Sequence, residues 1–548
     1  MDLKNKLKKK LNDLGSNFYL NESDVGKKRR DEACIYQLSE LNPYISLSIM
    51  KGDLFENLKK FNIIVITEIM HKDKLELINE KCRKKKIGFI YASILGLSGF
   101  VFDDFGTEHT ILDYNGEECN PYLIKSISND GIVTINNSYS GFKFDLEDGN
   151  FVKFSDVRGI PKLNDGKLRE IKIISNKSFK IVKEDFREYP KYISGGIVEQ
   201  VKIPRKMYHK SLKERLKNFF DDKPIEPIDS SKLGRNELLF ITFLALHEYY
   251  SKNNSLPELN NKNNIDQIII ITKELYHKNY KLSKEGKLPW FSHIQDWDEE
   301  IPKLIASWAR AEIPPLCSFL GGIVSQEIIK FTGKYIPINQ WLVFDFFETI
   351  ENLGVKVDRN LKNSRYDDQI AIFGNEIQKK IEKSNIFLIG AGSIGCEFLK
   401  NFALMGISTS KDKQLIITDN DNIEISNLSN QFLFRKEDIG KSKSKCATDS
   451  IKKINPSFNC KNLQIKISEG EHSFTEEFWN SKTFIINGVD NIKARQYIDN
   501  QCTLYNKFLI DTGISSTKAH LQMIIPHITS CYNDSLDILE MSVFLSDC

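Results

Sequence analysis

A chain of 548 residues is too long for one hydrophobic core, so several domains are expected. Its 77 basic and 74 acidic residues leave a formal charge of only +3, which gives no case for nucleic acid or a membrane surface as the main partner. No apolar run reaches the roughly 18 residues of a membrane-spanning helix, and the lysine-rich N-terminus lacks the apolar stretch of a signal peptide.

The ten cysteines are scattered and form no C-x-x-C pair, which argues against a zinc ribbon or a thioredoxin-like centre. Reduced thiols and a cytoplasmic or nuclear location are expected.

In chain order, two short β-branched runs, 61–67 and 87–92, flank a segment of helical composition, 73–85. That spacing predicts a βαβ unit with a parallel strand pair. From 97 to 203 the pattern changes to short alternating runs separated by Asn115-Gly116, Asp130-Gly131, Asp148-Gly149 and Asp165-Gly166. Many short strands with hairpin-type turns predict a small β-barrel or sandwich. From 204 to 312 the periodicity is helical, over 236–247, 266–280 and 298–311, with a polar loop at 251–264, and predicts a helical bundle. The chain returns to α/β at 313–352, where Pro314 and Pro315 precede a helix and 341–345 reads as a strand.

The most informative stretch follows. Residues 386–389 are an apolar run, and Gly390, Gly392 and Gly395 fit G-x-G-x-x-G: a tight turn, close backbone approach to a phosphate, and tight helix packing. A second apolar run ends at Asp419, and further strands are expected near 484–487, 507–511 and 520–525. The glycine turn alone is compatible with an NAD-dependent dehydrogenase, in which the acid would bind a ribose hydroxyl. Against that reading stand the residues after Asp419. Asp421 supplies a second carboxylate, Lys443 follows, and Asp490 ends the next strand at the same sheet edge. Oxygen ligands suit Mg²⁺, and lysines neutralise charge that grows in phosphoryl transfer.

The segment from Gly390 to Gly406, with Asp419, Asp421, the 426–428 and 431–435 runs and Asp490, resembles the active adenylation domain of ubiquitin-activating enzymes. The resemblance extends over nearly the whole chain, including 17–20, 24–27, 102–106, 148–154, 195–204, 319–327, 337–341 and 364–369. It implies an α/β fold: Rossmann-like, ThiF-type adenylation domains with a small β-barrel insertion and a helical bundle. The implied division is a partial inactive adenylation domain (1–96), the first catalytic-cysteine half-domain as a β-barrel (97–203), the helical bundle (204–312), the remainder of the inactive domain (313–352), the active adenylation domain (363–531) and the start of the catalytic-cysteine region (532–548).

The resemblance also implies a chemistry. ATP and Mg²⁺ would bind with ubiquitin, whose C-terminal carboxylate would be adenylated and then passed to a cysteine as a thioester, ready for a ubiquitin-conjugating enzyme. Gly390, Gly392 and Gly395 would form the nucleotide turn. Asp419 would hold the ribose, Asn427, Gln431 and Lys443 the phosphates, and Asp421 and Asp490 the metal. Lys443 would also act in catalysis, and Cys548 is the candidate nucleophile, with Cys531 the weaker alternative.

Three departures keep a second reading open. Asn430 stands where the family has an arginine, and an amide supplies neither the charge nor the fork. The sequence reads as beginning inside the inactive half and stopping before the second cysteine half-domain and the domain that receives the conjugating enzyme. The first reading is therefore such an enzyme, or a fragment of one left by a gene model or split gene, and the alternative is a catalytically incomplete protein that binds ubiquitin or nucleotide. Which ubiquitin-like modifier is used is not legible in the sequence.

Overall fold

The computed structural model describes residues 2–3, 11–136, 144–221, 229–292, 294, 297–350, 357–515 and 518–535. The expected βαβ unit forms as β1 (Ile63–Ile66), α1 (Lys72–Lys84) and β2 (Gly88–Leu95), with β1 and β2 parallel from Ile63 opposite Gly88 to Ile66 opposite Tyr91. A tight turn at Gly96 leads into β3 (Ser98–Asp104), antiparallel to β2. The expected barrel boundary at 97 therefore falls inside a hairpin. β3 belongs to this first sheet, because Val101, Phe100 and Phe102 are buried there with β2.

The barrel strands are β4 (Pro121–Ile127), β5 (Ile132–Ile135), β6 (Phe151–Ser155), β7 (Arg169–Ser175), β8 (Ser178–Ile181) and β9 (Ile197–Val201). They close in the order β7-β8-β5-β4-β9-β6. Alternate residues, among them Val133, Ile135, Val152, Phe154, Phe179 and Val198, fill the interior, as the period of two requires. The chain enters and leaves through a short ribbon in which His109–Ile111 pairs with Arg205–Met207.

The bundle comprises α2 (Arg235–Asn253), α3 (Lys262–Lys284) and α4 (Glu300–Trp308). α2 runs on past the expected loop start at 251, and the intervening loop is shorter than expected. α2 is apolar on nearly every side and is buried along most of its length. It packs on the first sheet, and the strand period decides which residues it meets. Phe89, Tyr91, Phe100 and Phe102 point into one continuous core with the bundle. Ile90, Ala92 and Val101 point to the opposite face, where α5 (Pro314–Lys330) contributes Leu320 and Val324. The two prolines lie inside the first turn of α5, where no intrahelical N–H is lost. β10 (Trp341–Asp345) then completes the sheet in the order β10-β3-β2-β1.

His247 of α2 lies in that core and shares a 3.0 Å hydrogen bond with the Tyr91 hydroxyl. Burial pushes its imidazole down from 6.5 to about 4. Between those values the unfolded chain takes up a proton that the folded chain refuses. The stabilisation carried by the neutral ring is complete above about pH 6.5 and is lost as pH falls towards 4, at most about 3 kcal/mol. A His247→Gln variant is expected to lose stability less steeply than the parent between pH 6.5 and 4.5. Urea midpoints at the two pH values check this, and parallel losses would refute it.

The second α/β unit holds β11 (Ile386–Ile389), α6 (Ser393–Met405), β12 (Leu415–Thr418), α7 (Lys443–Ile454), β13 (Cys460–Leu463), β14 (Phe484–Asn487), α8 (Ile492–Leu504), β15 (Phe508–Ser515) and β16 (Lys518–Ile524). The sheet order is β13-β12-β11-β14-β15-β16, parallel except for β16. The chain runs outward from β11 to β13 and then returns to the other side at β14. A topological switch point therefore lies between β11 and β14, where ligands bind beyond the strand ends in open α/β sheets. The two α/β units meet helix on helix, with Ser318 Oγ of α5 donating to Asn401 Oδ1 of α6 at 2.9 Å. Arg365 ties the N-terminal segment to this unit, donating to the Leu14 and Ile454 carbonyls at 3.0 and 3.2 Å. Among the described residues no helix is long and apolar enough to cross a membrane.

Candidate nucleotide cleft

At the switch point the chain forms a cleft of about 1250 Å³. Its floor is the turn after β11. Gly390 has φ +101°, a conformation that L side chains rarely adopt, and an added Cβ would sit 2.9 Å from the Gly488 carbonyl oxygen. A Cβ on Gly395 would fall 2.1 Å from the Gly390 carbonyl oxygen, so α6 can start this close to the strand only with glycine there. Gly392 differs, because nothing lies within 4 Å of its added Cβ, which would enter open space. It caps α6 without a side chain, leaving the first backbone N–H groups of the helix for a ligand. Gly395→Ala is expected to push α6 off the turn and to remove nucleotide binding along with several kcal/mol of stability, of the size seen for overpacking, about 1–3 kcal/mol or more. Thermal melting with and without nucleotide checks both effects.

Asp419 extends from the end of β12 under the same turn. One carboxylate oxygen accepts the Ala391 N–H at 2.7 Å and the other the Asp421 N–H at 2.9 Å. Burial pushes its carboxyl up, and those two N–H donors, with Lys443, pull it back. Its first work is thus to hold the glycine turn against the loop that carries Asp421. Lys443 begins α7, and its ammonium pairs with Asp421 at 3.0 Å while its N–H donates to the Asp421 carbonyl. Asn427 lies in the short turn Ile425–Ser429, where its Oδ1 accepts the Glu424 N–H at 2.9 Å, so its NH₂ is what it can offer the cleft. Gln431 is buried, and its Oε1 has no hydrogen-bond partner among the described residues. Asp490 sits exposed just beyond β14.

Gly390, Gly392, Asp419, Asp421, Asn427, Gln431, Lys443 and Asp490 all line this one cleft, and Gly395 lies directly beneath it. Asn430 is exposed and does not line it, so the arginine expected from the resemblance has no counterpart on the cleft wall at that position. Cys548 lies outside the described residues. Cys531 is described, and burial together with Asp534 and Asp499 pushes its thiol up to about 11, which disfavours the nucleophilic thiolate.

The residues fit a nucleotide. The glycine turn leaves space where a side chain would stand, a helix opens on it with unsatisfied N–H groups, and Gln431, whose buried amide oxygen has no partner among the described residues, lines the same cleft. Among the described residues no three of His, Cys, Asp and Glu gather as a ready-made metal site. Two rim carboxylates, Asp421 and Asp490, suit Mg²⁺, which is bound through one or two carboxylates plus substrate phosphates rather than by an all-protein cage.

One part of the site was missed in the sequence. Arg495 of α8 is buried beside Asp511 at the end of the expected fourth strand, with Nη1 donating to Asp511 Oδ2 at 2.6 Å. Its Nη2 donates to the Thr512 carbonyl at 2.7 Å and to the Val489 carbonyl. Asn487 Nδ2 donates to the other Asp511 oxygen at 2.7 Å. Burial pushes the Asp511 carboxyl up, with Arg495 the strongest opposing influence. The network fixes the backbone immediately before Asp490. An arginine five residues past a strand-end aspartate was the available signal.

Comparison with known proteins agrees with this layout. Residues 366–542 match the model of the ThiF family. Residues 128–202 match the ubiquitin-activating enzyme E1 FCCH domain, and 203–276 the ubiquitin-activating enzyme E1 four-helix bundle. Among curated relatives, "Ubiquitin-activating enzyme E1 1" of Triticum aestivum is 39% identical over 536 residues, 96% of this chain and 49% of that protein. "Ubiquitin-like modifier-activating enzyme 1" of Dictyostelium discoideum is 38% identical over 97% of this chain and 51% of its own length. Its namesake in Homo sapiens is 34% identical over 97% and 49%. The chain spans about half the length of the curated relatives it matches. With barrel, bundle and ThiF matches in this order along one chain, it is similar over nearly its whole length to ubiquitin-activating enzymes E1.

Proposed function

We propose that this chain activates ubiquitin by adenylating its C-terminal carboxylate with ATP. The observation that carries the reading is that the glycine turn, Asp419, Asn427, Gln431, Lys443 and the two rim carboxylates line a single cleft. The names of the relatives supply the substrate.

In this reading the free N–H groups of α6 receive phosphate oxygens, and Asp419 orients the ribose while keeping its two backbone bonds. Asn427 and Gln431 donate amide hydrogens to phosphate. Lys443 exchanges its Asp421 partner for phosphate and neutralises charge as the α-phosphorus becomes pentacoordinate. Asp421 and Asp490 hold Mg²⁺, which supplies further charge neutralisation at the phosphates. A carboxylate oxygen of the ubiquitin tail attacks the α-phosphorus, the bond to the bridging oxygen breaks, and pyrophosphate leaves. A cysteine thiolate then attacks the acyl carbon and AMP departs, leaving a thioester for a conjugating enzyme. Cys548 is the proposed thiol.

A second reading, binding or adenylation without thioester transfer, is favoured by one observation. The described cysteines with shifted thiols are all pushed up, Cys82 and Cys396 to about 12 and Cys460 and Cys531 to about 11, each chiefly by burial. Ubiquitin-dependent exchange of labelled pyrophosphate into ATP tests adenylation, and a non-reducing gel after incubation with ubiquitin and ATP tests transfer. Exchange with no reducible adduct selects the second reading. Failure to bind ATP together with tight NADH binding would overturn both.

A further inference from the structure

The cleft carries four basic side chains, Lys443, Lys466, Lys493 and Arg495. Two are already paired, Lys443 with Asp421 and Arg495 with Asp511. Lys493 is exposed and has no carboxylate partner among the described residues. It lies in the first turn of α8, two residues past Asn491, whose side chain caps the helix by accepting the Ala494 N–H.

A cation is misplaced there on local grounds. The N-terminus of a helix carries partial positive charge and favours acidic side chains. Away from the cleft α1, α2 and α4 follow that rule with Asp73, Glu237 and Glu300, whereas α3 opens with Lys262 and α5 has no acid in its first turn. The three helices that begin at the cleft, α6, α7 and α8, have no acid in their first turn. Two of them open with a lysine instead, Lys443 at the first position of α7 and Lys493 at the second of α8. Lys443 already has Asp421 as its counter-charge, whereas Lys493 has none among the described residues, and its place on the cleft wall is where a bound anion would supply one.

Strand order says which part of a nucleotide Lys493 meets. Asp419 ends β12 and Lys466 follows β13, both on one side of the glycine turn, whereas α8 follows β14 on the other. With the ribose towards Asp419, the phosphates extend across the turn towards β14. We propose that Lys493 is a second phosphate-binding lysine, opposite Lys443, and that it supplies the positive charge which Asn430 lacks. The inference rests on the nucleotide reading of the cleft.

The test is titration of the full chain with Mg·ATP and, separately, with adenosine. Lys493→Gln is expected to weaken ATP by roughly tenfold or more, the loss typical of a hydrogen bond to a charged group, and to leave adenosine affinity unchanged. Lys493→Arg should restore most of the ATP affinity. Because the lysine opposes its own helix dipole, Lys493→Gln should melt at or above the parent temperature without ligand, while its ATP-induced rise in melting temperature shrinks. If the parent binds ATP and Lys493→Gln binds it equally well, or if ATP and adenosine weaken together, the assignment of Lys493 is overturned and the nucleotide reading stands. If the parent binds no ATP, the nucleotide reading falls, and this inference with it.

Discussion

Asp490→Ala is expected to abolish ATP–pyrophosphate exchange in a protein that folds and melts like the parent. The carboxylate is exposed at the rim of the cleft and lies outside the buried core clusters, so its removal leaves the packing intact. What it removes is one of two rim carboxylates available to Mg²⁺. Loss of a group that acts on charge developing in the transition state reduces rate by typically about 10²–10³, and loss of the metal itself would add to that. Asp490→Asn should be nearly as inactive, since an amide is a poor substitute for a hard anionic oxygen. Exchange measured across a range of Mg²⁺ concentrations separates a weakened metal site, rescued at high Mg²⁺, from a group with no part in the reaction. Unchanged exchange at low Mg²⁺ would refute the metal assignment.

Arg495→Met should have the largest effect on stability. Arg495 and Asp511 are both buried, with side-chain exposures of 7% and 1%. Breaking such a pair leaves an uncompensated charge and costs about 3–5 kcal/mol, whereas replacing both partners with apolar groups is often near neutral. Arg495→Met with Asp511→Leu is accordingly expected to recover much of the lost stability. It should not recover activity, because the Val489 and Thr512 carbonyls would still lack their donor and the segment leading to Asp490 would no longer be fixed. Thermal melting and pyrophosphate exchange on the same three proteins separate the two roles. A single Arg495→Met variant that melts with the parent would show that the pair adds nothing.

These two residues also mark what was and was not legible before the fold was known. Gly390, Gly392, Gly395 and Asp419 could be read because each answers a local backbone demand: a positive φ, an open cradle, a close approach, an acceptor at a strand end. Local demands leave signatures at fixed spacing. The Arg495–Asp511 pair joins a helix to the next strand through burial, and although Arg495 follows Asp490 at a short spacing, nothing local names Asp511 as its partner. β13 was missed for a different reason. Its four residues, Cys460–Leu463, lie at the sheet edge and include a lysine and an asparagine, so the apolar run that marks the central strands is absent. Residues 98–104, which follow the expected start of the barrel at 97, pair with β2 in the first sheet. Only the partner strand tells a barrel strand from a strand of the first sheet, and pairing is not a property of the segment alone.

The unequal anchoring of the two insertions bears on how such a protein can be remodelled. The barrel keeps its own sealed interior and hangs on a pair of three-residue strands, so it can be lengthened, trimmed or exchanged between homologues with little disturbance elsewhere. The bundle has no interior of its own, because Phe240 and Trp290 are lodged among the same aromatic rings as Phe100 and Trp341. Any chimera that imports a foreign bundle must import the adjoining strands as well.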